Sequence, residues 1–285
     1  MTEFKFKYWL YHFKIAAKAT FPWMWFMVAL IVLLDIAMIF DGSISFENFL
    51  KSIAFFVFIY GILAIGALII VAVNGETEYV RYKSGFSLDY FYAFENKYIK
   101  GKPVNNDKYI RFAEIYRQLG DYKSAIAVLN SITVREEIIG ERSNYLFVYM
   151  MSAIQSGDTA MADDIWRRNQ SFINRLEHEV VYAESLTMMN LVLAYADTVA
   201  GRYGHALNIV RTVLNSRKIK KWPHYKGDYL ALKIYLLKKL GKENEINSAV
   251  MDFNKFTAKW NPFFEHERND LRESVEKAVR GEFPL

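Results

Sequence analysis

The chain contains no cysteine, which excludes disulfides, thiolate catalysis and cysteine-based zinc sites. Other reactive arrangements are missing too. The five histidines are His12, His178, His205, His224 and His266. None has a second histidine three or four residues away, the spacing that a metal-binding helix needs. Glu177-His178-Glu179 and Glu265-His266-Glu267 bring ligand types together in sequence. Adjacent residues on a helix point in different directions, however, so both read as solvated faces. No glycine-rich phosphate loop is present, because GKPVNNDK (101–108) lacks the spacing and follows no strand. No G-x-S-x-G nucleophile elbow occurs either. The carboxylate pairs Glu136-Glu137 and Asp163-Asp164 are consecutive and exposed by pattern. No residue therefore argues for an enzyme, and no cofactor or metal site is expected. Lysine and arginine exceed aspartate and glutamate by only 5. They are scattered rather than gathered in a basic arm, which argues against nucleic acid as a ligand.

The 285 residues are instead rich in apolar side chains, 53% hydrophobic and 16% aromatic, and these are unevenly spread. FPWMWFMVALIVLLDIAMIF (21–40) holds a single charge, and IAFFVFIYGILAIGALIIVAV (53–73) holds none. Roughly 20 such residues cross about 30 Å of hydrocarbon as a helix. A soluble core helix keeps a polar stripe, and the second stretch has none. Two transmembrane helices forming a hairpin over 21–73 are expected. The first is too long for a cleaved signal, and no small-residue cleavage site comes after it. Lys5, Lys7, Lys14 and Lys18 precede the first span, Arg81 and Lys83 come after the second, and the intervening loop 41–52 carries only Lys51. Positive flanks remain in the cytoplasm, so both termini are expected inside, in a bacterial cytoplasmic membrane. Residues 1–20 read as an interfacial amphipathic segment, with Trp9, Trp23 and Trp25 at headgroup depth. Asp35 is the one intramembrane charge, and such a residue is by default a functional-site hypothesis. Against that, two helices cannot enclose a pathway, and Asp35 lies near enough to the outer end to bend towards water.

Residues 74–106 form a juxtamembrane linker that is rich in aromatics, with a short helix expected over 88–100. From residue 107 the pattern changes. In DKYIRFAEIYRQL, Tyr109, Phe112, Ala113 and Tyr116 mark one apolar stripe of a helix. Gly120 stops it and Asp121 caps the next, in which Ala125, Leu129 and Ile132 form the facing stripe. Weaker copies come later: Gly157 with Ala162 and Trp166, Gly201 with Ala206 and Val210, and Gly241 with Ile246 and Val250. The glycines stand 37, 44 and 40 residues apart.

The unit resembles the tetratricopeptide repeat, a 34-residue helical hairpin that stacks into a superhelix. The likeness rests on Tyr109, Phe112, Ala113, Tyr116, Gly120, Ala125, Leu129 and Ile132; Glu137 stands where the family usually has proline. It implies an all-α fold, with an α-solenoid of about four hairpins over 107–285. After Pro262, HERNDLRESVEKAVRG supplies a polar capping helix. It further implies a groove lined by the first helix of each hairpin. Here that face offers Ile110, Glu114 and Arg117, then Phe147, Met151 and Ile154, then Leu191, Tyr195 and Thr198. The lysine, asparagine and arginine of the family's carboxylate-clamp subclass are absent. The apolar middle suits an amphipathic helix or peptide, unless the chain's own extra helices fill it. SRKIKKWPHYK (216–226), with Arg217 to Lys221, is the one basic cluster and a candidate contact for anionic lipid. The expected role is a membrane-anchored adaptor that binds other proteins. The alternative is an accessory subunit of a transport or secretion complex, gripping its partners through the spans.

Overall fold

The computed structural model describes residues 45–135, 137–178, 183–217, 219, 223–259 and 265–284, with isolated positions before residue 45. The protein is all-α: among the described residues there is no strand. It divides into two compact units, Met1–Val80 and Arg81–Leu285.

The long helix α1 begins at Phe46 in the first unit and runs on to Ser84, past that unit's end at Val80, 39 residues in all. Its start is polar. The Asn48 N–H donates to Ser45 Oγ, and Lys51 reaches back to Glu47 at 2.7 Å, one turn earlier. The helix therefore opens seven residues before the apolar stretch expected at 53–73, and shortens the loop expected over 41–52. At 1.5 Å per residue it is about 58 Å long, well beyond the roughly 30 Å of a hydrocarbon core. Within it, Phe46–Leu63 is long and apolar enough to cross a membrane, and none of that window is buried. Phe55, Phe58 and Leu63 are each 65% exposed. Most of the first expected span, including Asp35, lies outside the described residues, as do Trp9, Trp23 and Trp25.

The second unit opens with the short helix α2, Leu88–Phe94, which continues into a widened turn over Glu95–Ile99. The Tyr90 N–H donates to Ser87 Oγ and caps it. α2 packs on α3, Asn106–Gln118, through a ring cluster. Phe91 stacks on Phe112 at 5.1 Å and meets Tyr116 edge-on at 5.0 Å. This covers the exposed side of the first hairpin, much as a capping repeat does.

Four hairpins come next among the described residues. They are α3 with α4 (Tyr122–Asn130), α5 (Ile139–Gln155) with α6 (Thr159–Arg168), α8 (Ala183–Val199) with α9 (Tyr203–Asn215), and α10 (Pro223–Lys239) with α11 (Glu243–Thr257). A short extra helix, α7 (Gln170–His178), occupies the second connection. It accounts for the longest glycine interval. The first helices pack in series, α3 on α5, α5 on α8, α8 on α10, and each second helix is placed beside the next first helix. The closing helix α12, Glu265–Arg280, packs on α10 and α11.

Each hairpin turns on the same backbone device. Gly120, Gly157, Gly201 and Gly241 have φ of 81°, 83°, 76° and 67°, the left-handed region that a side chain resists. In every case the glycine N–H donates three residues back and the next N–H five back. Gly120 bonds Arg117 O at 3.0 Å and Asp121 bonds Tyr116 O at 2.9 Å; Gly157 and Asp158 do the same to Ile154 O and Ala153 O. Two orphan carbonyls of each first helix are thereby satisfied. The side chains of Asp121 and Asp158 then accept from Ser124 N at 3.1 Å and Met161 N at 2.9 Å, starting the second helix two residues after the glycine. Five residues past each glycine sits a buried contact residue, Ala125, Ala162, Ala206 or Ile246. A methyl group at the first three lets the two helices approach closely.

The same turn recurs a fifth time. Gly281, with φ 80°, bonds Ala278 O, and Glu282 N bonds Lys277 O. It lies 40 residues after Gly241, so the segment expected only to cap the stack also carries the hairpin turn.

Nothing lies within 4 Å of a Cβ added at Gly157, so Gly157→Ala probes backbone strain alone. It is expected to lower stability by about 1–2 kcal/mol in urea unfolding of the full chain in detergent. Gly204→Ala, equally open but with ordinary φ, is expected to be neutral or stabilising by up to about 1 kcal/mol. Equal losses at both sites would contradict the turn assignment. Gly227→Ala tests packing: its Cβ would fall 2.5 Å from Leu271 Cδ1. A loss of about 1–3 kcal/mol is expected, and Leu271→Ala is expected to cost less in the Gly227→Ala background than in the unaltered chain.

Candidate functional site

The face shared by the first helices is where the resemblance would lead one to look for a partner, and its side chains are already in contact with one another. Ile110, Arg117, Met151, Ile154, Leu191, Tyr195 and Thr198 are all buried, while Glu114 and Phe147 are half-buried. A partner helix would find these positions covered by the chain itself.

The covering comes from α10 and from a residue beyond α12. Tyr225, at the start of α10, sets its ring edge-on to Phe147 of α5 at 6.4 Å. Its hydroxyl meets the Met188 thioether of α8 at 3.2 Å. One helical turn further on, the buried Tyr229 hydroxyl donates to the Thr187 carbonyl at 2.7 Å. Phe283, beyond α12, meets Tyr195 of α8 at 5.8 Å and Tyr235 of α10 at 5.4 Å, edge-on in both cases.

At the α3 end the face is ionic. Arg117, 7% exposed, forms a two-pronged pair with Glu114 on its own helix: Nε to Oε2 at 2.8 Å and Nη2 to Oε1 at 2.7 Å. Its Nη1 donates to Gln155 Oε1 of α5 at 2.7 Å, and the guanidinium lies 5.9 Å from the Phe147 ring centre. This fork geometry is what arginine offers a carboxylate. Burial alone would push the Glu114 carboxyl up. The Arg117 charge and its two hydrogen bonds overcome that and hold it below the ordinary carboxylate value. Burial alone would lower the Arg117 value; the Glu114 partner outweighs it and keeps the guanidinium more firmly protonated, with Asp228 of α10 and Tyr195 adding to the effect. Burial and the Asp228 charge push the Tyr195 phenol well above its ordinary value, with Arg117 pulling the other way. Residues from α3, α5, α8 and α10 thus form one electrostatic group. Within it the Tyr195 phenol is kept protonated.

A second polar anchor lies at the third turn. Asp197, buried in α8, accepts from Arg202 Nε at 2.6 Å and bonds His205 Nδ1. Here a carboxylate from the first helix ties down the start of the second, as Asp121 and Asp158 do from the turn in the earlier hairpins.

Repeat-marking residues occupy the core or its edge: Ala113 and Ala125 are fully buried, and Tyr109 and Tyr116 half-buried. No group of three or more histidine, aspartate or glutamate side chains able to hold a metal occurs among the described residues. In the basic cluster, Arg217 is exposed and Ile219 buried; Lys218, Lys220, Lys221 and Trp222 lie outside the described residues. Sequence reasoning missed Gln155, Asp197, Tyr225, Asp228 and Phe283. Only Tyr225 and Asp228 carried a signal, since they stand three apart on the fourth first helix, the spacing of a shared face.

No protein-family model matches the chain, no curated protein matches it, and no solved structure matches it. The functional reading therefore rests on this geometry.

Glu114→Gln leaves a buried guanidinium without its main counter-charge and is expected to cost about 3 kcal/mol. The double variant Glu114→Leu/Arg117→Met, which removes both charges, is expected to cost less than either Glu114→Gln or Arg117→Met alone. A double variant as damaging as the sum of the singles would contradict a closed pair. Because Glu114 in the folded chain titrates below the ordinary value of 4.5, the pair's stabilisation is complete above about that pH. It is lost as pH falls through the lower folded value. Unfolding of the native chain should therefore become easier below pH 4.5 by a larger margin than for the double variant, read as urea midpoints on either side of that pH.

Proposed function

We propose that this chain is a membrane-anchored adaptor that binds other proteins through the first-helix face of its hairpins. In this reading the hairpins form an α-solenoid of tetratricopeptide type. A two-helix hairpin over 21–73 holds it at a bilayer, with both termini and the array on the cytoplasmic side. The observation that carries the reading is the serial packing of α3, α5, α8 and α10. Along it run Phe147, Met151, Leu191 and Tyr195, residue types suited to gripping a peptide or helix once the chain's own covering side chains give way. The anchor is supported by Phe46–Leu63, an apolar helical stretch none of which is buried. The lysines flanking the spans supply the orientation. No catalytic constellation among the described residues competes with a binding role.

A photo-reactive residue placed at Phe147, on the face, and another at Asn208, exposed on α9, would be compared in intact cells. Discrete protein adducts from position 147 and none from 208 are expected. Adducts from both, or from neither, would sink the adaptor reading. Protease added to sealed, right-side-out cells should spare residues 86–285, and digestion without lysis would overturn the orientation.

A further inference from the structure

Around α2 the lysines and arginines are spread out in the sequence, but the fold gathers several of them. Residues 81–111 hold seven basic side chains against three acidic ones, Asp89, Glu95 and Asp107, whereas residues 112–285 hold 24 against 22. Much of the excess is organised on two rings. Arg81 and Arg111 lie 4.7 Å and 5.5 Å from the Phe86 ring centre. Lys97 and Lys108 place their ammonium groups 5.2 Å and 4.3 Å from the Tyr98 ring centre. Those two charges therefore stand within about 10 Å of each other, a separation at which like charges still repel at moderate salt. Lys102 joins them, its ammonium donating to the Lys97 carbonyl, and Lys100 is exposed. Apolar surface lies on the same element. Tyr90 and Phe94 of α2 are buried against the array, while Leu88 is 61% and Tyr92 55% exposed. Four residues apart, these two share one face of the helix.

We propose that α2 and the turn leading from it to α3 form a second membrane contact, resting on the anionic headgroups of the bilayer that holds α1. The inference rests on the anchor in the adaptor reading and adds where the array itself meets lipid. Three observations select a lipid surface over a soluble partner. Arg81 stands eight residues past Val73 on α1, about 12 Å along the helix. With the hydrocarbon ending at Val73, Arg81 clears the headgroup layer by less than the Debye length of about 8 Å at physiological salt. Exposed leucine and tyrosine beside lysines are also the composition of an interfacial segment, in which apolar groups enter the headgroup layer while ammonium groups meet phosphates. Finally, an extended anionic surface relieves the repulsion among all the gathered cations at once, without a fixed counter-charge at each.

The test uses the full chain in lipid nanodiscs that contain a nitroxide-headgroup lipid, read as quenching of a fluorophore. Because the chain has no cysteine, Asn96→Cys, one turn beyond Tyr92, and Asn208→Cys, on α9, each create a single labelling site; both positions are exposed. Quenching at 96 is expected to be at least about twofold greater in an equal mixture of phosphatidylcholine and phosphatidylglycerol than in phosphatidylcholine alone. It is expected to fall to the phosphatidylcholine level in about 1 M salt, where the Debye length is about 3 Å. Lys97→Gln/Lys102→Gln/Lys108→Gln is expected to remove the lipid dependence with helical content unchanged; should helical content drop, the salt comparison decides. Position 208 is expected to respond to neither lipid nor salt. Equal quenching at 96 in the two lipids, a difference that survives high salt or the folded triple variant, or the same response at 96 and 208 would overturn the inference. The anchor reading fails separately. A chain that leaves the discs when detergent is removed overturns both, whereas a chain retained in the discs with position 96 unquenched overturns the headgroup contact alone.

Discussion

A left-handed glycine at the end of a helix is the constraint on which the larger unit of this chain depends. At such a residue two backbone N–H groups fold back onto carbonyls that would otherwise be left over, and the chain reverses within three residues. Only a residue without a Cβ adopts that conformation at little cost. The reversal recurs at 120, 157, 201, 241 and 281, and the buried contact residue five positions on recurs with it at the first four. Once the reversal is fixed, a hairpin has two apolar stripes and only one of them is satisfied internally. The next hairpin must cover the other. Serial packing of first helix on first helix is a consequence of that requirement, and so is the need for a cover at each end: the ring cluster of α2 at one, the mostly polar α12 at the other.

Much of this was legible in the sequence because it is local. Glycine, then aspartate, then alanine five residues after the glycine is short-range chemistry that one chain carries on its face. The all-α class, the positions of the four turns and the helix over 88–99 could be read directly. The extent of α1 could not. Hydropathy marks Ile53 to Val73, whereas helix formation also responds to the Ser45 cap and the Glu47–Lys51 pair, which are polar and fall outside an apolar window. The state of the first-helix face was also hidden. Periodicity assigns Tyr195 and Met151 to that face, but it says nothing about Tyr225 or Phe283, which arrive from distant parts of the chain. Long-range cover is decided by which hairpin comes after which, and by where a turn releases the chain. No spacing rule records either.

The closed face changes what recognition would involve. An open groove binds by gaining contacts; a covered one binds by exchanging them, so net affinity is the difference between incoming and outgoing contacts. Such a site responds to small changes in the segment that covers it. The Glu114–Arg117–Gln155 cluster at the other end of the face acts differently. Its charges are paired and buried, and separating them would cost several kcal/mol. One end of the face is therefore tied by ionic geometry and the other by ring contacts and the buried Tyr229 hydroxyl.

A recruiting role matters in a cell only if the array is held at a bilayer by the apolar helix that precedes it. Alkaline carbonate extraction of membranes from cells producing the full chain tests that most directly. The unaltered chain is expected to stay in the pellet, and a variant lacking residues 21–73, both apolar stretches, is expected to move to the supernatant. Release of the unaltered chain into the supernatant would contradict membrane anchoring and the adaptor role built on it.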